Sequence, residues 1–418
     1  MSKLLKPFFA CLVVLEFFRL AIIYNLIPNT LHSGFGYLLL AFVPCLMLTS
    51  NSHFFLRFNR NNKLLCNKLL LYYGLFIALN CITCYIFRGQ SVIVTIQAWT
   101  PFLIIYLYPI MRTWNLSLED WQKIIVALFI YYAIGYILQY IFNTTMIMYM
   151  SSTWEKYLRE GRIRIFSESI LYIGTLLFWN KYLLKKKNIF LLLFVLGFFL
   201  IFLTRFRLII LTLPIVLLYI YFKINGFSWK IISYSIIIVL AINLASYMPV
   251  VQEAIDEMYE RNERSNLDND NYARVVGYEY FTKNHFKNNV EYFFGSGMTV
   301  LAVDAEKQEV HKTPSKYSKE MSRLGAYSHL FTVDWGLLGL SWVAGIPFVS
   351  ILILILFKII WTSVPNDYLY LRGYCIFVLL IGIFNPMVYY HKNIFFLAII
   401  LTILDLVKNG SIKQTKYL

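Results

Sequence analysis

Residues 188–223 read NIFLLLFVLGFFLIFLTRFRLIILTLPIVLLYIYFK. Two apolar runs, near 188–204 and 206–222, meet at Thr204-Arg205-Phe206-Arg207. A helix that crosses a membrane needs about 20 mostly apolar residues, so the stretch reads as a tight helical hairpin with two arginines at its turn. Ten further runs follow the same pattern, near 7–29, 34–50, 69–87, 91–111, 123–143, 166–183, 230–247, 330–357, 369–389 and 393–407. The composition agrees. Of 418 residues, 59% are hydrophobic, 18% aromatic and only 14% charged, where a soluble chain averages about 25% charged. That is too little charge to cover a soluble surface, which argues against a soluble enzyme, a disordered chain and a nucleic-acid binder. The expected fold is an all-α integral membrane protein of about 12 transmembrane helices. It comprises a bundle over 1–247, a large loop over 248–329, and a second helical set with a short tail over 330–418.

The chain carries 38 Lys+Arg against 22 Asp+Glu, a formal +16. Eighteen of these basic residues fall on the side of the N-terminus, among them Arg57, Arg60, Lys185, Lys186, Lys187, Lys223 and Lys358. Basic loops stay cytoplasmic, so both termini are expected inside. The first run contains Glu16 and Arg19 and lacks a small-residue cleavage site, so no cleavable signal is expected. The 248–329 loop falls on the outer side. It holds ten basic and thirteen acidic residues, net −3. It reads as an amphipathic helix near 249–263, an Asn/Asp-rich break at 266–271, a second helix near 272–286, and then irregular chain. The six cysteines lie in spans or on the cytoplasmic side, and Cys81-x-x-Cys84, inside an apolar run, reads as core packing.

The informative charges are the basic residues that this rule leaves on the outer side: Arg88, Lys156, Arg159, Arg162, Arg164, Arg205, Arg207, Arg274 and Lys392. Ionisable groups at membrane depth are costly and mark functional sites. Several arginines together suit a polyanion, because guanidinium pairs bidentately with phosphate. Snorkelling to headgroups accounts for single arginines, but it leaves two arginines in a minimal hairpin turn unexplained. His329 stands where the outer loop meets the tenth run, and Asp334 follows inside an apolar stretch. A neutral histidine there can take a proton from a hydroxyl. Asp334 could cap the helix, pair with an arginine or orient His329. His391, at the outer end of the last hairpin, is a second candidate ligand. His285 and His311 sit in loop sequence with no pattern around them, Gly336 and Gly339 suit close helix packing, and Gly295-Ser296-Gly297 reads as a turn after a helix.

In these residues the chain resembles the bacterial O-antigen polymerase/ligase superfamily, of the Wzy and WaaL type. Arg162-Ile163-Arg164-Ile165-Phe166-Ser167-Glu168-Ser169 is similar to the family's Arg–Gly–Phe–small–Asn segment. Thr204-Arg205-Phe206-Arg207 is similar to its Ser-Arg turn. Arg274, followed by Phe293-Phe294-Gly295-Ser296-Gly297, is similar to its "Arg … Pro-x-x-Gly-x-Gly". Ser328-His329 before Asp334-Trp335-Gly336-Leu337-Leu338-Gly339 is similar to its "His-Asn … Glu-x-Gly-x-x-Gly". The motifs cover roughly 160–345. Leu330 replaces the usual Asn after the His, and Ile165 the Gly before Phe166.

The resemblance implies a membrane-embedded glycosyltransferase of the GT-C type in the bacterial inner membrane, with its large loop and active site in the periplasm. The implied reaction is inverting and metal-independent, with no cofactor. A growing glycan on undecaprenyl pyrophosphate would be moved onto a single lipid-linked repeat unit, so donor and acceptor are both undecaprenyl-pyrophosphate-linked oligosaccharides. A chain-length regulator is a possible protein partner, and no nucleic acid is expected. Such a reaction needs charge stabilisation on the departing pyrophosphate. Arg205, Arg207 and Arg274 are expected there, with Arg162, Arg164 and Arg159 next. His329 would accept the acceptor proton, with Asp334 as its orienter. Two alternatives stay open: the ligase that transfers the same donor to lipid A–core, and a flippase of lipid-linked oligosaccharide, which would need charges lining a cavity open to both sides.

Overall fold

The computed structural model describes residues 65–112, 114, 116–142, 168–203, 207–226, 278–298, 335–383 and 391–415, together with Cys11. These residues are mostly helical, with no strand among them. In chain order the helices are α1 (Asn67–Arg88), α2 (Val92–Leu103), α3 (Leu107–Arg112), α4 (Leu118–Phe142), α5 (Glu168–Lys185), α6 (Asn188–Leu203), α7 (Arg207–Asn225), α8 (Asn289–Phe294), α9 (Gly336–Ala344), α10 (Ile346–Trp361), α11 (Leu369–Gly382) and α12 (His391–Thr415). Asn67–Arg88, Val92–Arg112 and Leu118–Leu138 are long and apolar enough to cross a membrane. Asn188–Phe202, Leu211–Asn225 and Ile346–Trp361 are shorter apolar helices.

The helices are apolar on faces that point away from the core. Ile86, Ile93, Ile141, Leu192 and Leu211 are all more than 60% exposed. In water so much exposed aliphatic surface would drive aggregation, whereas lipid accepts it. The chain is therefore a mostly helical protein built for an apolar surround.

Local signals set the element ends. Gly89 (φ 63°) closes α1, and its N–H donates to Tyr85 O. Ser91 opens α2 by accepting from Val94 N–H. Ser117 and Asp120 cap α4 reciprocally: Asp120 N–H donates to Ser117 Oγ at 3.1 Å and Ser117 N–H to Asp120 Oδ2 at 3.0 Å. The run expected over 91–111 is interrupted. Pro101 and Pro109 remove backbone donors, and a 3₁₀ turn (Ile104–Tyr106) joins α2 to α3.

Packing is close where one side is a glycine. A Cβ on Gly174 of α5 would lie 2.2 Å from Phe129 of α4, and one on Gly197 of α6 would lie 2.2 Å from Thr175 of α5. α6 packs chiefly on α5, and α7 on α11 and α5. The two arms of the expected tight hairpin, α6 and α7, thus make little contact with each other. Tyr73, Trp99, Phe102 and Phe348 form a buried aromatic knot between α1, α2 and α10, with ring centroids 4.6–5.4 Å apart. At the far end from Arg88, the buried Asp405 of α12 accepts from Leu65 N–H (2.9 Å) and Tyr108 OH (2.6 Å), and pairs with Arg112 at 3.5 Å. This ties α12 to the start of α1 and the end of α3.

Nine of the twelve expected runs coincide with described helices; those near 7–29, 34–50 and 230–247, apart from Cys11, lie outside the described residues, as do 249–263 and 266–271. The run expected over 330–357 is not one helix. It is α9 and α10, broken at Gly345 (φ 93°). The last run, expected over 393–407, is longer, extending over the 25 residues of α12.

A packing test follows from the glycines. Gly174→Ala pushes a methyl into the Phe129 ring and is expected to cost about 1–3 kcal/mol. Gly89→Ala meets no atom within 4 Å and is expected to cost about 1 kcal/mol through its positive φ alone. Thermal melts in detergent rank the two, and the reverse order would refute this packing.

Candidate functional site

At the Arg88 end two non-helical segments cross. α8 ends at Gly295 (φ 84°), and Ser296 and Gly297 (φ 108°) run on past the break between α9 and α10. Ser296 N–H donates to Trp342 O at 2.9 Å and Gly297 N–H to Val343 O at 3.0 Å. A Cβ on Gly295 would lie 2.5 Å from Gly345 N, and one on Gly345 would lie 2.5 Å from Phe294 C. Both positions therefore require glycine for conformation and for space. The expected 330–357 helix breaks at this close approach, with Pro347 in the first turn of α10. On the other side Gly297 rests on Cys84, whose Sγ would be 2.1 Å from a Cβ there. Cys84 acts as a packing atom.

Asn80, fully buried in α1, satisfies the crossing. Its Nδ2 donates to Phe294 O (2.7 Å) and Val343 O (2.9 Å), while its Oδ1 accepts from Trp99 Nε1 (3.1 Å). Gln90 Nε2 donates to Met298 O and to Thr95 Oγ1, both at 2.8 Å.

Arg88 has a structural partner. Its Nε donates to Glu291 Oε1 at 2.5 Å and its Nη2 to Glu291 Oε2 at 3.0 Å, a bidentate fork with side chains only 7% and 1% exposed. The same Nη2 reaches His285 O. Glu291 also accepts from Lys287 N–H at 2.7 Å, and Lys287 Nζ donates to Phe87 O. Arg88, one of the outer arginines that the charge rule leaves unexplained, is thus held by a carboxylate from the large loop. The helix carrying that carboxylate, α8, lies where irregular chain was expected. Its signal was legible: Asn288 caps it by accepting from Glu291 N–H at 2.9 Å, an Asn-x-x-Glu capping pattern. The expected 272–286 helix is described from Tyr278, and its last turn, Tyr280–Asn284, is π-helical.

His285 stands in loop sequence with no pattern around it. It is 3% exposed, ringed by Phe281 (4.7 Å), Phe286 (5.2 Å) and Tyr280 (5.7 Å). Its Nε2 is 2.7 Å from Ser296 Oγ. Burial, and then the Arg88 cation, push its pKa down to about 3. The aromatic residues at 278, 280, 281 and 286 were the available sign that this stretch is packed.

The residues expected to act on substrate fall at the edges of this framework. His329, Asp334, Arg274, Arg205, Arg162, Arg164 and Arg159 lie outside the described residues; Arg207 and His391 open α7 and α12, with their side chains outside the description. Their neighbours are described, and they come together in two places. Tyr278, four residues after Arg274, packs against Trp335, the residue after Asp334, with ring centroids 5.6 Å apart and planes tilted by 42°, and against Trp342 at 6.2 Å. Ser169, which closes the Arg162–Ser169 segment, donates to Asn393 Oδ1, two residues after His391, and Tyr374 OH donates to the same oxygen at 2.9 Å. Counting about 1.5 Å per residue, Asn393 stands about 18 Å along α12 from Asp405, while α1 extends about 32 Å. The Ser169–Asn393 pair therefore lies inside the bundle rather than at its rim. The cavity beside it, lined by Tyr374, Asn393, Leu352 and Leu397, measures ≈ 10 Å³, room for about one water and too small for a sugar. Among the described residues no cluster of His, Cys, Asp or Glu has the makings of a metal site.

No family model matches the chain, and no curated protein matches it.

The Arg88–Glu291 pair generates a double-mutant test. Arg88→Leu strands a buried carboxylate and is expected to cost about 3–5 kcal/mol. Arg88→Leu with Glu291→Leu is expected to cost less than Arg88→Leu alone, as read by melts in detergent. His285 adds a pH test. Its folded pKa lies below the unfolded 6.5, so its contribution is full above pH 6.5 and is lost as pH falls from 6.5 toward 3. Protease cleavage within the loop should rise over that window in the native chain and rise less in His285→Asn.

Proposed function

We propose that the protein is a Wzy-type O-antigen or surface-polysaccharide polymerase. It transfers a growing glycan from undecaprenyl pyrophosphate onto a lipid-linked repeat unit, by an inverting, metal-independent reaction at the periplasmic face of the bacterial inner membrane. In this reading about 12 helices of a GT-C-type enzyme span the membrane, both termini are cytoplasmic, and the 248–329 loop covers the sugars. What supports it beyond the motif resemblance is one contact, the packing of Tyr278 against Trp335. It brings a residue four positions after Arg274 against the residue that follows Asp334, as a shared site drawing on both motifs requires.

The mechanism follows from the donor. Its leaving group is already good, so the protein supplies positive charge and orientation. Arg205, Arg207 and Arg274 stabilise the negative charge that develops on the departing pyrophosphate, with Arg159, Arg162 and Arg164 beside them. His329, oriented by Asp334, takes the proton from the acceptor hydroxyl as the glycosidic bond forms. His391 is a further contact to substrate. Arg88 is excluded from this set, because Glu291 already neutralises it.

The deciding experiment incubates purified protein with one defined undecaprenyl-pyrophosphate-linked repeat unit and looks for a polymer ladder. Arg274→Ala and Arg205→Ala are expected to lower turnover by roughly a hundredfold or more, with protein still present in the membrane, and His329→Ala is expected to fail similarly. Unchanged ladders from these variants would sink the site assignment. In a deletion strain a polymerase leaves core carrying one repeat. Bare core would point to the ligase, and scrambling of labelled lipid in liposomes to the flippase.

A further inference from the structure

Hydropathy puts the whole 248–329 loop outside the membrane, but the contacts of residues 287–298 give that segment a depth. They do so whether or not the polymerase reading holds. Lys287 Nζ donates to Phe87 O at 2.8 Å, and Arg88 holds Glu291, so the segment starts at the end of α1. Phe294 O accepts from Asn80 Nδ2 at 2.7 Å. Asn80 stands eight residues before Arg88, which is about 12 Å back along α1 at 1.5 Å per residue. The six residues of α8 advance about 9 Å. α8 therefore runs down beside α1 instead of lying across its end. The chain then turns. Gly297 rests on Cys84, one turn back toward Arg88. Met298 spans the interval: its N–H lies 3.4 Å from Asn80 Oδ1, and its O accepts from Gln90 Nε2 at 2.8 Å.

Non-helical backbone is tolerated at membrane depth where it is buried in protein. The turn meets that condition, since Gly295, Ser296, Gly297 and Met298 are all buried and two of their N–H groups are taken up by Trp342 O and Val343 O. The side chains of α8 are sorted the wrong way for water. Its carboxylate, Glu291, is fully buried, while Val290 (43%), Tyr292 (52%) and Phe293 (48%) are exposed. At 3.6 residues per turn Phe293 points about 200° away from Glu291, so one face carries the charge inward and the other carries apolar groups outward. Phe286 extends that outer face, with its ring centroid 5.2 Å from Tyr292. The adjoining last turns of α1 expose Ile82, Tyr85 and Ile86. The outer face of α8 thus continues a surface of α1 already suited to lipid. By contrast, the turn before the segment exposes a charged pair, Glu279 and Lys283, as a watery surround allows.

We propose that residues 287–298 form a re-entrant hairpin that enters the bilayer from the Arg88 end, with Val290, Tyr292 and Phe293 of α8 against the lipid of that leaflet. The buried face of α8 and the glycine turn are satisfied by protein, and the exposed face by acyl chains. Tyrosine suits the level where the chain enters, because its ring is apolar and its hydroxyl reaches the headgroups.

The test uses the purified full-length chain in phosphatidylcholine vesicles, with a thiol-reactive fluorophore at Phe293→Cys and, independently, at Val290→Cys. The native cysteines among the described residues are buried, and the native chain treated with the same fluorophore supplies the background. Ile86→Cys serves as the lipid reference and Lys283→Cys as the water reference. Doxyl-labelled phosphatidylcholine quenches from the lipid and iodide from the water. Both α8 probes are expected to lose fluorescence to doxyl lipid as the Ile86 probe does and to resist iodide. The Phe293 probe should respond more to a doxyl group set deep in the acyl chain, and the Val290 probe more to a shallow one. Loss to iodide at the level of the Lys283 probe would overturn the proposal. Protection from both quenchers would overturn the lipid contact in favour of a protein cover, such as a second copy of the chain. Equal depth of the two probes would overturn the hairpin, leaving a helix flat on the membrane surface.

Discussion

A backbone that leaves the helix inside an apolar surround must find partners for every N–H and C=O it frees, because no water is there to take them. The described structure depends on how one such place is solved. Phe294–Met298 from the large loop and Trp342–Gly345 from the break between α9 and α10 cross each other, and each supplies part of what the other lacks. Asn80 supplies the rest from α1. A single buried amide thus joins α1, α2 through Trp99, the loop and the α9–α10 break. Glycine at 295 and 345 is the condition for the crossing, since any side chain at either would collide with the other backbone.

The ion pair beside this crossing explains a charge that would otherwise be read as functional. Arg88 and Glu291 come from segments about two hundred positions apart and neutralise one another out of water. With His285 and Ser296 they make a polar layer, packed under aromatic rings, that fixes the described part of the loop to the helices. The loop is therefore not an independent domain over its described part. Residues 278–298 belong to the same packed body as α1, α9 and α10.

That attachment gives the proposed chemistry a scaffold. Tyr278 of the loop and Trp335, at the start of the last helices, hold those two parts of the chain together. Rigid elements flanking catalytic side chains are what limit the reorganisation a reaction requires.

Hydropathy in the sequence determined most of the helices, because a run of apolar residues in lipid has few alternatives to a helix. It also determined the placement of arginines near helix ends and the capping of α4 by Ser117 and Asp120. Hydropathy could not reveal the break at Gly345, since the sequence from 336 to 357 is mostly apolar; the local sign was Gly345 with Pro347 in the first turn of α10, and the close approach of Phe294 requires glycine there. Nor could local pattern tell a paired arginine from a free one. Arg88 is neutralised because tertiary packing brings Glu291 beside it. The sequence determined which residue types stand at the membrane's edges; the tertiary structure decided which of those charges were already spent on holding the fold.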